Sequence, residues 1–138
     1  MLTHPYGSIP FAPEISYILA GISIYDKEET LGEALWAFDP NKQSDRDKII
    51  KKFIIPNFDY LTYRHKFLVF KMLEDTLQQP DFDFSSQFVN DYEEYRALAW
   101  DQTEINDPRG FFEDIYRLAN EAWKDDIHKA SLEDQSMW

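Results

Sequence analysis

Residues 57–79 read NFDYLTYRHKFLVFKMLEDTLQQ, and this stretch decides the fold. Apolar side chains recur in it at helical spacing in two neighbouring rows: Phe58, Leu61, Leu68 and Met72, and beside them Tyr63, Phe67, Phe70 and Leu77. Four polar residues fall at i, i+7, i+11 and i+14 and form one narrow stripe: Arg64, Lys71, Asp75 and Gln78. A helix that is apolar over most of its circumference lies in the middle of a bundle, so the pattern predicts a central helix near residues 57–79.

Prolines divide the rest of the chain into helical blocks of ordinary length, with breaks at Pro13, Pro40, Pro56, Pro80 and Pro108. Strand-length segments do not alternate with these blocks, which argues against a parallel-sheet fold. A chain of 138 residues is long enough for one domain with a sizeable core. We therefore predict an all-α, single-domain bundle over residues 1–138, with about five helices arranged around the central one.

The two ends of the chain are expected to lie outside the helices. Residues 1–13 contain three prolines, which block a helix, and residues 131–138 are mostly polar and are predicted to fray. Residues 14–26 have apolar side chains at helical spacing, but their Ile and Tyr content fits a strand as well.

Two further helices are predicted in the second half of the chain. Residues 85–100 fit an amphipathic helix. Its inward face would consist of Phe88, Tyr92, Tyr95 and Ala99. Asp107 followed by Pro108 is a helix-start signal, because an N-cap carboxylate precedes a proline at the first helical position.

Charge is distributed unevenly along the chain, whose net charge is -12. Residues 41–71 hold eight basic and three acidic side chains, whereas residues 1–40 and 72–138 are both acidic. An acidic field repels phosphate backbones and attracts basic proteins. We therefore expect a basic protein as the partner and no direct nucleic-acid binding, although acidity also serves solubility.

The chain carries no motif for catalysis or cofactor binding. It has no cysteine, and its three histidines, His4, His65 and His128, form no metal-binding pair. Its four glycines form no phosphate-binding loop. His65 falls on the apolar side of the central helix, which is more typical of a hydrogen-bonded core histidine than of a catalytic base. We expect no catalytic residue, no metal and no cofactor, and so no enzyme.

The sequence also bears on location. Its longest apolar run, residues 15–25, is too short to span a bilayer, and we expect no membrane interaction. The N-terminus lacks the basic and apolar pattern of a signal peptide, and the absence of cysteine fits a reducing compartment. A cytoplasmic location is the expectation.

Residues 90–107 combine acidic with aromatic side chains, a composition that many protein interfaces use for steering and anchoring. The predicted partner-binding residues are Asp91, Glu93, Glu94, Tyr95, Trp100, Asp101, Glu104 and Asp107. The same composition describes an ordinary amphipathic helix with its aromatics in the core and its acids in water. An interface therefore requires that Trp100, Tyr95 or Trp123 be exposed beside the acids.

A small, acidic, cysteine-free chain without catalytic motifs, carrying this aromatic and acidic run, resembles bacterial immunity proteins. Such proteins neutralise a toxin domain, often a basic nuclease, in contact-dependent growth inhibition and related polymorphic toxin systems. The resemblance implies an inhibitor that occludes the basic active site of a cognate toxin. It lies in the overall profile and assigns no individual residue.

Alternatives to this interpretation stay open. The basic block, residues 42–71, either balances the acidic half internally or meets an acidic partner surface. The protein is alternatively a helical enzyme or small-ligand-binding protein with an interhelical pocket near His65 and Tyr63. A further alternative is a nucleic-acid mimic, which requires carboxylates spaced along a rod.

Overall fold

The computed structural model describes residues 1–138 and contains five α-helices joined by shorter helical turns. The α-helices are α1 (Glu33–Leu35), α2 (Gln43–Ile49), α3 (Tyr63–Leu77), α4 (Pro108–Ala122) and α5 (Lys124–Ser131). The 3₁₀ turns are Ile15–Ile22, Ile55–Phe58, Phe84–Phe88, Tyr92–Glu94, Gln102–Glu104 and Gln135–Met137, and the π-helical turns are Glu28–Gly32 and Ile50–Ile54. No strand is present, and the chain forms one domain, so the predicted all-α class is confirmed.

The central helix α3 begins at Tyr63, later than predicted. Pro56 has no amide hydrogen to donate, and the residues around it form the separate 3₁₀ turn Ile55–Phe58. The side chain of Thr62 then caps α3, because its hydroxyl oxygen accepts a hydrogen bond from the backbone N–H of His65 at 3.5 Å.

α3 contacts both α4 and α5 as well as the 3₁₀ turn Ile15–Ile22. Its buried apolar side chains are Phe67, Val69, Phe70 and Leu73. Val69, Phe70 and Leu73 join buried side chains from α2, α4 and the connecting turns in one continuous core. A single contiguous core is what defines a domain, so no boundary divides the chain.

A hydrogen bond between Tyr116 and Glu74 ties α4 to α3. The Tyr116 hydroxyl donates to Glu74 Oε2 at 2.6 Å, and Lys71 Nζ donates to Glu74 Oε1 at 3.1 Å. The bond to Glu74, together with burial, raises the pKa of Tyr116 to about 12. The same bond, with a smaller contribution from Lys71, holds the pKa of Glu74 below its usual value.

α4 begins at Pro108, where the Asp107-Pro108 signal predicted a helix start. The Asp107 carboxylate accepts a hydrogen bond from the backbone N–H of Gly110 at 3.0 Å, and Pro108 occupies the first helical turn. A Cβ at position 110 would overlap the Asp107 carboxylate, which explains a glycine so early in a helix.

The predicted helix over residues 85–100 is wrong. After the 3₁₀ turn Phe84–Phe88 the chain is extended apart from the short 3₁₀ turn Tyr92–Glu94, and residues 97–99 pair with residues 22–24. The Ile24 N–H donates to Ala97 O at 2.8 Å, and the Ala99 N–H donates to Ile22 O at 3.0 Å. The Asn90 side chain accepts from the backbone N–H of Leu98 at 2.9 Å, and such a bond competes with the helical ladder. The long-range pairing overrides the local helical pattern.

Residues 14–26 combine the two alternatives left open by the sequence. They form the 3₁₀ turn Ile15–Ile22 and then an extended segment that makes the pairing just described. Gly21 permits a close approach to the Ile50–Ile54 turn, because a Cβ on Gly21 would overlap the backbone carbonyl of Phe53.

The N-terminal segment 1–13 forms no α-helix and is held down by His65. Its chain doubles back, with Phe11 N–H donating to Leu2 O at 2.9 Å. His65 is buried, its Nε2 lies 2.6 Å from Thr3 O, and its Nδ1 lies 2.6 Å from Thr62 Oγ1. Because a carbonyl only accepts, Nε2 carries the proton and His65 is a hydrogen-bonded core histidine.

Residues 131–138, predicted to fray, are instead docked on α3. Trp138 packs edge-on against Phe67 with ring centroids 5.7 Å apart, and its Nε1 donates to Glu133 at 3.1 Å. Glu133 also accepts from the Tyr63 hydroxyl at 2.6 Å and from Arg64 Nε at 2.8 Å. These bonds, led by that from Tyr63, hold the pKa of Glu133 below its usual value. The apolar terminal residue, Trp138, anchors this segment. The prediction of fraying rested on the polar composition of the other residues.

None of the helices combines the length and the apolar character needed to cross a membrane.

We expect Gly21→Ala to lower the free energy of unfolding by about 3 kcal/mol, because the new methyl group meets rigid backbone at Phe53. Gly7→Ala is the matched control, since a Cβ there has no neighbour within 4 Å, and it should change stability by less than about 0.5 kcal/mol. Urea unfolding of both variants measures the difference. Equal effects would contradict the close approach.

We expect the Tyr116–Glu74 bond to contribute its full stability from neutral pH to about pH 10 and to lose it as the pH rises toward about 12. Over that range the folded state keeps the phenolic proton and the unfolded state releases it. The measurement is the difference in unfolding free energy between the wild type and Tyr116→Phe from neutral to alkaline pH. Tyr60→Phe removes a hydroxyl without a protein partner and serves as control. A Tyr116→Phe difference that stays constant with pH would refute the assignment.

Candidate protein-binding surface

A closed turn projects the centre of the acidic run away from the core. Asp91 and Arg96 exchange two backbone hydrogen bonds, each of 2.8 Å, and thereby close the loop that contains the 3₁₀ turn Tyr92–Glu94. Tyr25, which directly follows residues 22–24 at the same end of the pairing, lies against this loop. We refer to Tyr25, Tyr92, Glu93, Glu94 and Tyr95 together as the tyrosine–glutamate tip.

The aromatic side chains of the tip are accessible. Tyr92 is 60% exposed and Tyr95 is 72% exposed. Both rings rest on the half-buried Tyr25, at centroid separations of 6.3 Å and 5.4 Å respectively. Rings held in this way present a large contact area at a small cost in conformational entropy.

Backbone strain is concentrated at the same place. Asp26 and Tyr95 are the only non-glycine residues with a positive φ, at 59° and 56°. The left-handed conformation costs an ordinary residue about 1–2 kcal/mol. A tyrosine in this conformation is unusual, because turns normally place Gly or Asn there, and strain of this kind clusters at functional sites.

Four other predicted partner-binding residues are carboxylates that accept hydrogen bonds from nearby backbone N–H groups. Asp91 accepts from Glu93 N–H at 3.1 Å, and Asp107 caps α4. Asp101 and Glu104 form a capping box around Gln102–Glu104, with Thr103 Oγ1 donating to Asp101 at 2.9 Å. That hydroxyl is the main reason why the pKa of Asp101 lies below its usual value. These four carboxylates are therefore explained by local structure.

The two candidate tryptophans are buried. Trp100 and Trp123 are each only 5% exposed, so neither can anchor a partner. Of the predicted set, Glu93, Glu94 and Tyr95 come together at the tip, and the extended chain that follows Arg96 leads away toward Asp101. Tyr25 and Tyr92 were missed by sequence reasoning, because the tip is assembled only by the pairing of residues 22–24 with 97–99.

Half of the basic block is neutralised inside the protein. Arg46, Arg64, Lys66 and Lys71 form ion pairs with Asp114, Glu133, Asp126 and Glu74, at 3.2, 2.8, 3.6 and 3.1 Å respectively. Lys48, Lys51 and Lys52 are exposed and have no carboxylate partner within 4.0 Å. The paired half of the block therefore ties the acidic helices to the core, and the other half consists of these three exposed lysines and Lys42.

A cavity of about 330 Å³ opens beside Tyr95. Its walls include Ser16, Ser23, Gln87 and Arg96. Gln87 Oε1 is the single buried side-chain polar atom without a hydrogen-bond partner. Such an orphan costs about 1–3 kcal/mol, so this wall is not optimised for stability alone.

A second cavity of about 240 Å³ lies near His65, where a small-ligand pocket was considered. Its lining is mainly apolar and includes Phe11, Phe58 and Leu61, with His4 and Asn57 as polar members. His65 itself has both ring nitrogens engaged, as described above. Tyr63 faces Glu133 rather than this cavity. No group of three or more acidic or histidine side chains is placed to hold a metal ion.

Comparison with protein-family models, with curated proteins and with solved structures finds no match to this chain. Its function is therefore inferred from the geometry of its own surface.

We expect Tyr95→Asn to change the free energy of unfolding by less than about 1 kcal/mol, because relief of the left-handed strain offsets the lost ring contact with Tyr25. Tyr25→Asn is the comparison, since it removes a half-buried ring without relieving strain, and it should cost about 2 kcal/mol. Thermal and urea unfolding measure both. Equal losses would mean that Tyr95 is retained for packing.

Proposed function

We propose that this protein is an acidic inhibitor of the immunity-protein type, which binds and neutralises a cognate toxin domain. The toxin domain is a basic protein, of the nuclease class. The observation that carries the proposal is the tyrosine–glutamate tip, in which two exposed tyrosines flank two glutamates that have no hydrogen-bond or ion-pair partner in the protein. The two tyrosines stay exposed although each contacts Tyr25, and neither glutamate caps a turn.

The charge of the chain supports a basic partner. With a net charge of -12, and with much of its positive charge consumed in internal ion pairs, the protein attracts cationic surfaces over long range. Such steering raises association rates and depends on salt, whereas buried aromatic contacts set the lifetime of the complex. Glu93 and Glu94 serve the first role in this proposal, and Tyr92 and Tyr95 serve the second.

The mechanism is occlusion of the toxin's active site. A nuclease binds a polyanion and therefore lines its active-site cleft with lysine and arginine. Carboxylates of the tip occupy the positions of substrate phosphates, and the tyrosine rings cover the apolar rim. Because the tip protrudes on a closed turn, it fits a concave site better than a flat one.

Two other functions have less support. A small-ligand function has the cavity near His65 in its favour, but the histidine is committed to Thr3 and Thr62. Nucleic-acid mimicry requires carboxylates spaced along a rod. Of the predicted acids only Glu93 and Glu94 are free of structural roles, and they are adjacent.

The first experiment is capture of the partner from an extract of the source cells on the tagged protein, at low and at high salt. We expect one basic protein, in one-to-one ratio, retained at high salt and lost with Tyr92→Ala/Tyr95→Ala. The purified partner must then lose its toxic activity when the wild-type protein is added. Capture without inhibition would reject the proposal, and partners that all wash off with salt would favour the mimic.

We expect charge reversal at the tip, Glu93→Lys/Glu94→Lys, to slow association with that partner about tenfold at low salt and to flatten the salt dependence of the rate. Glu113→Lys/Glu121→Lys on α4 is the matched control, since it changes the net charge equally at exposed positions outside the tip. Stopped-flow association kinetics measure both. Equal slowing by the two variants would locate the interface elsewhere.

A further inference from the structure

Arg96 differs from the other arginines of the chain because its guanidinium has a single hydrogen bond and no carboxylate partner. Arg46, Arg64 and Arg117 form ion pairs with carboxylates, and Arg109 donates to backbone carbonyls that include those of Leu77 and Phe82. The guanidinium of Arg96 makes one hydrogen bond only, from Nη2 to Gln87 O at 2.9 Å. A guanidinium has five N–H donors, so most of those on Arg96 are left without a protein acceptor.

This unpaired arginine lies in a strongly acidic protein. The chain contains 26 acidic side chains, and Arg96 follows Asp91, Glu93 and Glu94 closely in sequence, yet it forms an ion pair with none of them. Its single bond to Gln87 O holds the guanidinium in the wall of the cavity of about 330 Å³. The positive charge is therefore positioned but not neutralised.

Other donors line the same cavity. The hydroxyls of Ser16 and Ser23 form no hydrogen bond with another protein group. Gln87 lines the cavity too, but its Oε1 is buried and can only accept; rotation of the amide by half a turn would turn the NH₂ donor to that side and give up its 3.4 Å bond to Ser86 Oγ. Arg96, two serines and Gln87 thus supply four groups that can donate to one acceptor.

We propose that the cavity beside Tyr95 is a socket for a carboxylate group carried on a short apolar stem. The Arg96 guanidinium and the hydroxyls of Ser16 and Ser23 bind the carboxylate oxygens, and Gln87 donates after its amide turns. Leu19 and Leu98 form the apolar wall that receives the stem. A single guanidinium matches a monoanion, and the surplus of acids nearby disfavours a dianion such as phosphate.

The size of the cavity restricts the ligand. A volume of about 330 Å³ holds roughly ten waters, which corresponds to a single amino-acid side chain or a small organic acid. The carboxylate has two sources of the same chemistry: an acidic side chain of a protein bound at the tip, or a free acid or chain terminus. The socket is independent of the toxin proposal, because a carboxylate fits it whatever binds the tip.

The test is a titration of the isotope-labelled full chain, monitored by NMR at the backbone amides of Ser16, Ser23, Gln87 and Arg96. Acetyl-leucine is the probe, and acetyl-leucinamide is the neutral match. We expect saturable shifts with acetyl-leucine, with a Kd of about 1 mM, and at least tenfold weaker binding of the amide. Acetyl-glutamate blocked as its α-amide distinguishes the sources: tighter binding than acetyl-leucine indicates a protein side chain, and weaker binding indicates a chain terminus or free acid.

Two variants test whether acetyl-leucine binds in the socket. Arg96→Gln should weaken acetyl-leucine binding at least tenfold. Ser16→Ala/Ser23→Ala, which leaves the bond between Arg96 and Gln87 intact, should weaken it about threefold and decides the matter if Arg96→Gln does not fold. Equal binding of acid and amide, shifts that do not saturate, or full binding by the serine variant would overturn the socket. A failed capture of a toxin would leave this titration unaffected.

Discussion

The central helix α3 packs against α4, α5 and the 3₁₀ turn Ile15–Ile22, and four of its polar side chains have partners on other segments. Arg64 binds Glu133, Lys66 binds Asp126, Glu74 binds Tyr116, and His65 binds Thr3. Of these groups His65 is buried, and a buried polar group without a partner costs more than a paired one contributes. The Arg64 side chain is partly exposed, so its ion pair contributes less. These four polar side chains thereby help to fix where the C-terminal segment, α5, α4 and the N-terminal segment are attached.

The ion pairs divide the charged side chains of the protein into those paired internally and those that face solvent. Basic residues on α2 and α3 form ion pairs with acidic residues of α4, α5 and the C-terminal segment. Most of the acidic surplus therefore faces solvent. Many of those acids cap helices and turns, a structural use that accounts for Asp91, Asp101, Glu104 and Asp107. Of the predicted acids, Glu93 and Glu94 remain without such a structural use, and they lie beside two exposed tyrosines.

The tip and the socket share one origin. Residues 22–24 and 97–99 run antiparallel, so the chain on either side of this pairing converges at Tyr25 and Tyr95. Tyr95 contributes to both features, as an exposed ring of the tip and as a wall of the cavity that contains Arg96. Its strained backbone positions the ring between them. A partner seated on the tip would therefore reach the socket without any rearrangement of the fold.

The sequence by itself determined the helical class, the single core, the central helix and the start of α4, because apolar periodicity and capping signals are local properties of the chain. It also indicated that His65 is a core histidine. Only the tertiary structure decided the extended path of residues 97–99, the docking of Trp138 and the assembly of the tip. Each of these depends on pairing between segments far apart in sequence, whose energy no local pattern records.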